Sequence, residues 1–260
     1  MQLLNFCYAM EIRFSLPASK HSFTLRMIPH SDESQEVVSC ELKVSPECRL
    51  HDGEDAFGNK YVYGEIEHEH DVFAVEVSGT VQVGRTLCTP MDPVGDIARY
   101  RYPSRYTRPG EELSRYFSEH FYDREKDHYK LAEYMLHQIY QDMEYKQGVT
   151  DVSTSAEEAL TKRQGVCQDY AHIMISMCRM AGIPARYVVG MMKGEGYSHA
   201  WVEVGVEGLW HGMDPTNDRL VDDTYIKISH GRDYQDCIVN RGVFQCMGEQ
   251  KQSVRVIVEE

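Results

Sequence analysis

The hydrophobic and polar positions of the chain follow different periods in its two halves. Up to about residue 85, apolar and β-branched residues alternate with polar ones in the segments 11–16, 23–27, 38–44 and 72–77. A period of two residues is typical of strands that bury one face. Short alternating segments separated by turn-forming residues predict an N-terminal antiparallel β-sandwich over residues 1–85.

From residue 111 the pattern changes to that of helices followed by strands. An apolar stripe at helical spacing predicts a helix near 128–145. A capping pattern at 154–157 opens a second helix, and a third lies between Gly165 and the Gly-Ile-Pro stop at 182–184. Strand candidates follow at 185–192, 198–206, 209–214, 224–229 and 253–259. This order predicts an α+β domain over residues 111–260.

Residues 86–110 separate the two regions. Backbone breaks concentrate there, at Pro90, Pro93, Pro103 and Pro109. The segment also carries three tyrosines, Tyr100, Tyr102 and Tyr106. Aromatic side chains of this kind predict a linker that packs against the protein.

Composition and charge narrow the possible partners. The 260 residues include 27 Lys and Arg against 41 Asp and Glu, a formal net charge of −14. Because such a surface repels phosphates, we expect neither nucleic acid nor an anionic membrane as a partner. The eight cysteines form no C-x-x-C pair, and no secretory signal or run of ~18 apolar residues is visible. A cytoplasmic protein with free thiols is expected.

One cysteine occupies a position suited to chemistry. Cys167 lies at the predicted start of a helix, directly after Gly165 and Val166. Unpaired N–H groups and the positive end of the helix dipole favour a thiolate there, and they could receive an oxyanion. The structural alternative is a small buried hydrophobic residue, and Cys178 fits that description better.

A histidine and an aspartate follow on consecutive predicted strands. Alternation puts His199, Trp201 and Glu203 on one face, so the Trp201 ring could shield the imidazole from water. Asp214 precedes Pro215 and is expected to be extended. If the two strands pair antiparallel across the connection 205–208, the carboxylate orients the imidazole, which then takes a proton from the thiol. Taken alone, a histidine or an aspartate in the position of His199 or Asp214 is more often a structural residue than a catalytic one.

Other residues are weaker candidates for a functional role. His68 and His70 in the segment 67–71 could bind a metal, but a solvated charged edge is the favoured interpretation. His172 is expected to pack. Asp169 and Tyr170 are expected to anchor the start of the helix.

Four separated motifs together resemble the bacterial transglutaminase-like superfamily. They are Gly-Val-Cys-Gln-Asp-Tyr-Ala-His at 165–172, Gly-Ile-Pro-Ala-Arg-Tyr-Val at 182–188, Ser-His-Ala-Trp-Val-Glu at 198–203 and Asp-Pro-Thr-Asn at 214–217. The likeness continues in Gly-Arg-Asp-Tyr at 231–234. It is closest to the branch described as cysteine proteases. The resemblance implies a β-rich N-terminal region before a papain-like, transglutaminase-like α+β core.

The resemblance also implies roles for individual residues. Cys167 would be the nucleophile, His199 the general base and then acid, and Asp214 the residue that orients it, with an acyl-thioester intermediate. Some relatives complete the oxyanion hole with an upstream aromatic residue; no tryptophan precedes Cys167 here, and Tyr145 is the candidate substitute. Gln164 and Trp201 are expected supporting residues. No cofactor or metal is implied. The segment 235–240 departs from the family's proline-containing pattern, which leaves substrate preference open.

The leading hypothesis is a cysteine-dependent amide hydrolase or acyl transferase that acts on peptide-like substrates. Hydrolysis is favoured because no feature of the sequence builds a second site for an amine. Two alternatives remain at this point. One is a catalytically inactive binding module, and the other is a metal-dependent hydrolase with Cys167, His199 and Asp214 as zinc ligands.

Overall fold

A computed structural model describes residues 1–92 and 94–260, so Pro93 of the predicted linker lies outside the described residues. The strands are β1 Gln2–Leu25, β2 Gln35–Ser45, β3 Leu50–Glu54, β4 Lys60–Ile66, β5 His70–Val83, β6 Cys88–Pro90, β7 Glu144–Tyr145, β8 Gln164–Gly165, β9 Ala185–Met192, β10 Gly194–Gly196, β11 His199–Val206, β12 Leu209–Asp214, β13 Arg219–Leu220, β14 Tyr225–Gly231, β15 Asn240–Gln245 and β16 Gln250–Glu259. The helices are α1 Gly95–Tyr100, α2 Glu111–His120, α3 His128–Asp142, α4 Ala156–Lys162 and α5 Cys167–Met180, with a short 3-10 turn at Tyr234–Cys237.

The long strand β1 organises the N-terminal region. The alternation predicted separate strands at 11–16 and 23–27, but one continuous strand covers both segments. Its first part pairs antiparallel with β5 and β16, and its last part pairs antiparallel with β4 and β15. The register shifts between Arg13 and Ala18 and again between Ser19 and Ser22. Such irregularities bend a strand and let it pass from one group of partners to another.

The antiparallel pairing predicted for this region is present, but the two halves are not separate sheets. Through β1 they form one eight-stranded sheet. Apolar residues from both parts of β1 and from its partners share one buried cluster, so the sheet curls around a single core. Its members include Phe6, Tyr8, Ile12, Phe23, Leu25, Val62, Phe73, Val77 and Val258.

The C-terminal strands return to the N-terminal sheet. The sequence division assigned residues 111–260 to one domain, whereas β15 and β16 both pair with β1. Val256 and Val258 bury their side chains in the N-terminal core. The alternation of β16 shows that it is a strand with one buried face, but it does not show which sheet that strand joins. The last strand therefore belongs to the sheet that begins the chain.

Mixed helices and strands form the remainder, as the sequence predicts. The second sheet has the order β13-β12-β11-β9-β14, and β6 adds to β12. Its β11 packs the side chains of Ala200, Val202 and Val204 into the same core as helix α5. The predicted helices near 128–145, from 154–157 and after Gly165 correspond to α3, α4 and α5. No described helix has the length and apolar character needed to cross a membrane.

A buried arginine contacts the segment that the sequence analysis assigns to the linker. Tyr100 and Tyr106 are buried, although Tyr102 is exposed. Arg179 of α5 donates hydrogen bonds to the carbonyl of Tyr100 at 2.9 Å and to Thr107 Oγ1 at 2.7 Å. Because each N–H of a buried guanidinium needs an acceptor, these bonds hold the linker against the core.

His70 differs from its predicted place at a solvated edge. The neighbouring residues of the segment 67–71 are exposed, but His70 is buried. Its Nε2 lies 3.2 Å from Nδ1 of His21, and the two rings stack among phenylalanines of the N-terminal core. Burial, together with the neighbouring His70, lowers the pKa of His21 to about 4. His21 is therefore an uncharged part of the core at neutral pH.

Two amide side chains join the N-terminal sheet to the second sheet. Gln35 accepts from the N–H of Lys227 at 2.9 Å and donates to its carbonyl at 2.8 Å. Asn59 does the same with His230, at 2.9 and 2.7 Å. β14 is the edge strand of its sheet, so the two amides take the place of a neighbouring strand. Apolar residues of β9 and β14 also enter the N-terminal core.

We expect the substitution Asn59→Ala to lower the free energy of unfolding by about 2–3 kcal/mol, because it leaves the partly buried N–H and carbonyl of His230 without these partners. Urea denaturation followed by circular dichroism measures this loss. The matched variant Asn5→Ala, at an exposed asparagine of β1, should change stability little. Equal effects of the two variants would contradict the assigned role of Asn59.

Candidate active site

A cleft of about 200 Å³ brings the predicted reactive residues together. The residues of the segment 192–198 form one wall of the cleft, and Val256 of β16 borders it. Tyr145, Cys167 and His199 line the remainder. The thiol and the imidazole thus face one common space, at the border between the N-terminal sheet and the second sheet.

Asp169 holds the turn that presents Cys167. Its Oδ2 accepts hydrogen bonds from the Val166 N–H and from Thr150 Oγ1, both at 2.7 Å. This carboxylate closes the N-terminus of α5. A side chain at Gly165 would come within 2.5 Å of the Asp169 carboxylate, so glycine is needed for the close approach. Asp169 therefore anchors the start of the helix, as predicted, and leaves Cys167 partly exposed as its first residue.

A tight hairpin aligns His199 with Asp214. β11 and β12 pair antiparallel, with Val206 opposite Leu209, so that only two residues form the turn. Both have positive φ, 52° at Glu207 and 78° at Gly208, which is the signature of a type I′ turn. The predicted pairing across this connection is confirmed. His199 Nε2 lies 2.7 Å from Asp214 Oδ2.

The Asp214 carboxylate is fully buried and carries several hydrogen bonds. Besides His199, its Oδ2 accepts from Asn217 Nδ2 at 2.7 Å and from the Tyr225 hydroxyl at 2.8 Å. Its Oδ1 accepts from the N–H of Thr216 at 3.0 Å. Burial alone would raise the pKa of Asp214, but the bonds from His199, Asn217 and Tyr225 hold it below its usual value. The carboxylate therefore stays ionised in a buried place.

His199 is charged at neutral pH in this arrangement. Burial would lower its pKa, but the hydrogen bonds with Asp214 and Cys167, and the charges of those two groups, raise the pKa to about 10. Because Nε2 is bonded to Asp214, the other ring nitrogen remains for the thiol. The charged imidazole and the Cys167 thiol thus line the same cleft.

Trp201 lies over one side of the His199 ring. Its ring is buried, and its centroid lies 6.3 Å from that of His199 in a near-parallel arrangement. Gly190 on β9 makes room for this contact: a side chain there would come within 2.5 Å of the Trp201 ring and 2.1 Å of the Ile226 carbonyl. The indole therefore excludes water from one side of the imidazole.

The two other expected supporting residues lie on a small parallel pair of strands. Tyr145 pairs with Gly165 through β7 and β8, and its half-exposed ring lines the cleft. The Gln164 carboxamide donates to Glu144 at 2.6 Å and is not among the residues that line the cleft. Gln164 thus supports the strand that carries Tyr145, without facing the thiol.

Sequence reasoning missed two residues of the site. Asn217 stands in the Asp-Pro-Thr-Asn motif, and a side-chain amide that can return to an aspartate three residues earlier was a usable signal. Tyr225 comes from a different strand, and nothing in its local sequence indicates a contact with Asp214. His172 packs as expected, stacked on Tyr106 with burial lowering its pKa to about 3.

The geometry does not favour zinc binding by the three residues. His199 Nε2 and Asp214 Oδ2 face each other instead of a common point, and Asp214 Oδ2 already accepts three hydrogen bonds. Within residues 1–92 and 94–260, no three His, Cys, Asp or Glu side chains are grouped so that they could hold a metal ion.

Comparison with known proteins gives matches over most of the chain. Residues 115–215 match the family model of the transglutaminase-like superfamily core, and residues 4–82 match that of the bacterial transglutaminase-like N-terminal region. An uncharacterized protein of Mycobacterium leprae is 27% identical over 255 residues, which cover 90% of each chain. A crystal structure from Cytophaga hutchinsonii, described as a putative cysteine protease, is 26% identical with a TM-score of 0.81 and covers 100% of this chain and 91% of that one. The Kyphoscoliosis peptidase of Mus musculus is 33% identical over 107 residues, 37% of this chain and 16% of that protein.

We expect the His199 imidazole to keep its charge until the pH rises through about 10, because Asp214 and Cys167 both stabilise the charged ring. Nitrogen-15 NMR of histidine-labelled protein measures this titration. Since the raised pKa depends partly on the thiol, Cys167→Ala should move the midpoint to lower pH. The exposed Cys40→Ala serves as the control and should leave it unchanged. A midpoint near 6.5 in the unmodified protein would contradict the assigned contacts.

Tyr225→Phe tests the hydrogen bonds on Asp214. Because the pKa of Asp214 is lowered in the folded protein, its carboxylate stabilises the fold above an unfolded pKa of about 3.9, and this contribution is lost as the pH falls further. Removing the hydroxyl should raise the pKa of Asp214 and cost about 1.5–3 kcal/mol, the worth of a hydrogen bond to a charged group. The acid-unfolding midpoint, followed by circular dichroism, should move to higher pH. The exposed Tyr63→Phe should not move it; identical curves for both variants would count against this role.

Proposed function

We propose that this chain, which belongs to the transglutaminase-like superfamily, is a cysteine-dependent amide hydrolase or acyl transferase that acts on peptide-like substrates. The observation that carries the proposal is the meeting of Cys167 and His199 in one cleft, with a buried carboxylate bonded to the far side of the imidazole. The names of two matched proteins, a cysteine protease and a peptidase, support a peptide-like substrate.

Acylation follows from the positions of these groups. The Cys167 sulfur attacks the carbonyl carbon of the substrate amide, and the thiol proton resides on His199. His199 then gives this proton to the leaving amine, so that a neutral amine departs and a thioester remains on Cys167. Asp214 stabilises the charge on the imidazolium and fixes which ring nitrogen faces the sulfur.

The oxyanion that forms during the attack needs hydrogen-bond donors. The backbone N–H of Cys167 lies at the N-terminus of α5, where no helical acceptor exists for it. In our proposal the Tyr145 hydroxyl is the second donor, since its ring borders the same cleft and its strand is held against Gly165. Removal of one such donor typically costs about 10²–10³ in rate.

Hydrolysis is the favoured second step. Cys167 is only partly buried, so water can reach the thioester from the open side of the cleft. His199 removes a proton from this water, and the water oxygen attacks the carbonyl carbon. The carbon–sulfur bond then breaks, the sulfur takes the proton back from His199, and the carboxylic acid leaves with the thiol regenerated. Transfer to an amine would follow the same path, with the amine in place of water.

The substitution His199→Ala should slow alkylation of Cys167 by iodoacetamide at pH 6.5 by at least about tenfold, because it removes the positive partner of the thiolate. Peptide mass spectrometry measures alkylation at each cysteine. Asp214→Asn should slow turnover of a peptide amide substrate by about 100-fold or more, since the imidazole loses its orienting charge.

His51→Ala, at an exposed histidine of the N-terminal sheet, is the matched control and should leave alkylation of Cys167 unchanged. Exposed Cys40 in the same digest reports the reactivity of a thiol outside the site. If Cys167 reacts no faster than Cys40 in both the unmodified protein and His199→Ala, the site has no activated nucleophile. An inactive binding module would then be the better account.

A further inference from the structure

We propose that the substrate binds as an extended peptide segment whose backbone pairs with the free edge of β10, as an additional strand of the N-terminal sheet. The inference rests on the proposed function, because it identifies the form in which the acyl donor meets Cys167. It assigns the N-terminal sheet a direct part in substrate binding.

The position of β10 in the sheet leaves one of its edges open. β10 pairs antiparallel with β16 through Gly194 opposite Val258, Glu195 opposite Ile257 and Gly196 opposite Val256. It stands at the end of the strand order, and within the described part of the chain no strand pairs with its other side. Backbone groups of a strand alternate between its two sides. Those that do not face β16 are therefore available to another chain.

The free edge lies beside the reactive thiol. All three residues of β10 line the cleft that also contains Cys167 and His199. The same segment continues directly into β11, and His199 is the first residue of that strand. A peptide aligned along β10 would therefore pass the thiol.

The side chains of β10 suit a close backbone approach. Its three residues are all exposed. A side chain at Gly196 would meet no atom within 4 Å, and its φ lies outside the positive range, so the fold itself does not require glycine there. Among the described glycines, the others with such open space all have positive φ. A neighbouring backbone would explain a residue without a side chain at this place.

The size and charge of the cleft agree with backbone recognition. Its volume of about 200 Å³ lies below the roughly 300–1,000 Å³ of pockets that enclose a small ligand. One residue of a peptide can enter, while the rest of the peptide must lie outside. The charges along the edge are balanced, since Glu195 pairs with Arg255 at 2.8 Å and Lys193 pairs with Glu260. We infer a neutral segment with small side chains, bound chiefly through main-chain hydrogen bonds.

The first test uses acetyl-Ala-Ala-Ala-chloromethyl ketone and its singly N-methylated analogues as probes of Cys167. Strand pairing uses every second N–H of the peptide. N-methylation should therefore slow inactivation about tenfold at alternating positions, the worth of one hydrogen bond, and change it little at the positions between. Mass spectrometry of the Cys167 peptide gives the rates. A series without this alternation, or a peptide ketone no faster than chloroacetone, would overturn the inference.

The second test changes the protein. Gly196→Trp adds a large side chain over the free edge, and we expect inactivation by the peptide ketone to slow at least tenfold. Val243→Trp, at an exposed position of β15 on the same sheet, is the matched control and should react like the unmodified protein. Thermal unfolding of both variants checks the fold. Equal rates for the two variants would contradict binding at β10.

The two proposals fail in different ways. If His199→Ala leaves iodoacetamide alkylation of Cys167 unchanged, the proposed chemistry is wrong, whatever the peptide series shows. If alkylation depends on His199 while N-methylation and Gly196→Trp have no effect, the thiol is activated but the substrate does not bind as a strand. Iodoacetamide carries no peptide backbone, which is why it separates the two outcomes.

Discussion

The register of the β11–β12 hairpin is the constraint on which the site depends. A two-residue turn with positive φ at Glu207 and Gly208 fixes which residues of the two strands are neighbours. A slip by one residue would turn either His199 or Asp214 to the opposite face of the sheet. Because one face packs against α5 and the other carries Trp201, such a slip would also bury the wrong side chains. The packing that stabilises the sheet thus also secures the distance between the imidazole and the carboxylate.

The N-terminal sheet is part of the same construction. Gln35 and Asn59 complete the edge of β14, and Tyr225 at the start of that strand bonds to Asp214. On the other side of the cleft, β16 holds β10 in place. The buried Tyr8 hydroxyl of β1 forms a hydrogen bond with Ser198, the residue before His199, and burial raises the pKa of this hydroxyl to about 12. Both groups of contacts reach residues next to the proposed catalytic residues. The contacts between the two sheets therefore determine the shape of the cleft.

Local patterns predicted much of this structure from the sequence. The start of α5 before Cys167 and the pairing of the strands of His199 and Asp214 depend on residues close together in the chain, and both were predicted. The partners of β16, the burial of His70 against His21 and the contact of Tyr225 with Asp214 were not. The first two join residues distant in sequence, and Tyr225 lies on a strand that does not pair with that of Asp214. Alternation shows only that a strand has a buried face. Which surface covers that face is decided by the assembled fold.

The pairing of β16 with β1 has a consequence for synthesis of the chain on the ribosome. Cys167, His199 and Asp214 all emerge before the residues of β16 exist, yet β10 has no partner strand until Val256, Ile257 and Val258 arrive. One edge of β1 likewise stays open through most of translation. The proposed catalytic residues are thus synthesised before the strand that holds the wall of their cleft in place. A growing chain therefore passes through a stage in which the proposed nucleophile is already present while its cleft is still incomplete.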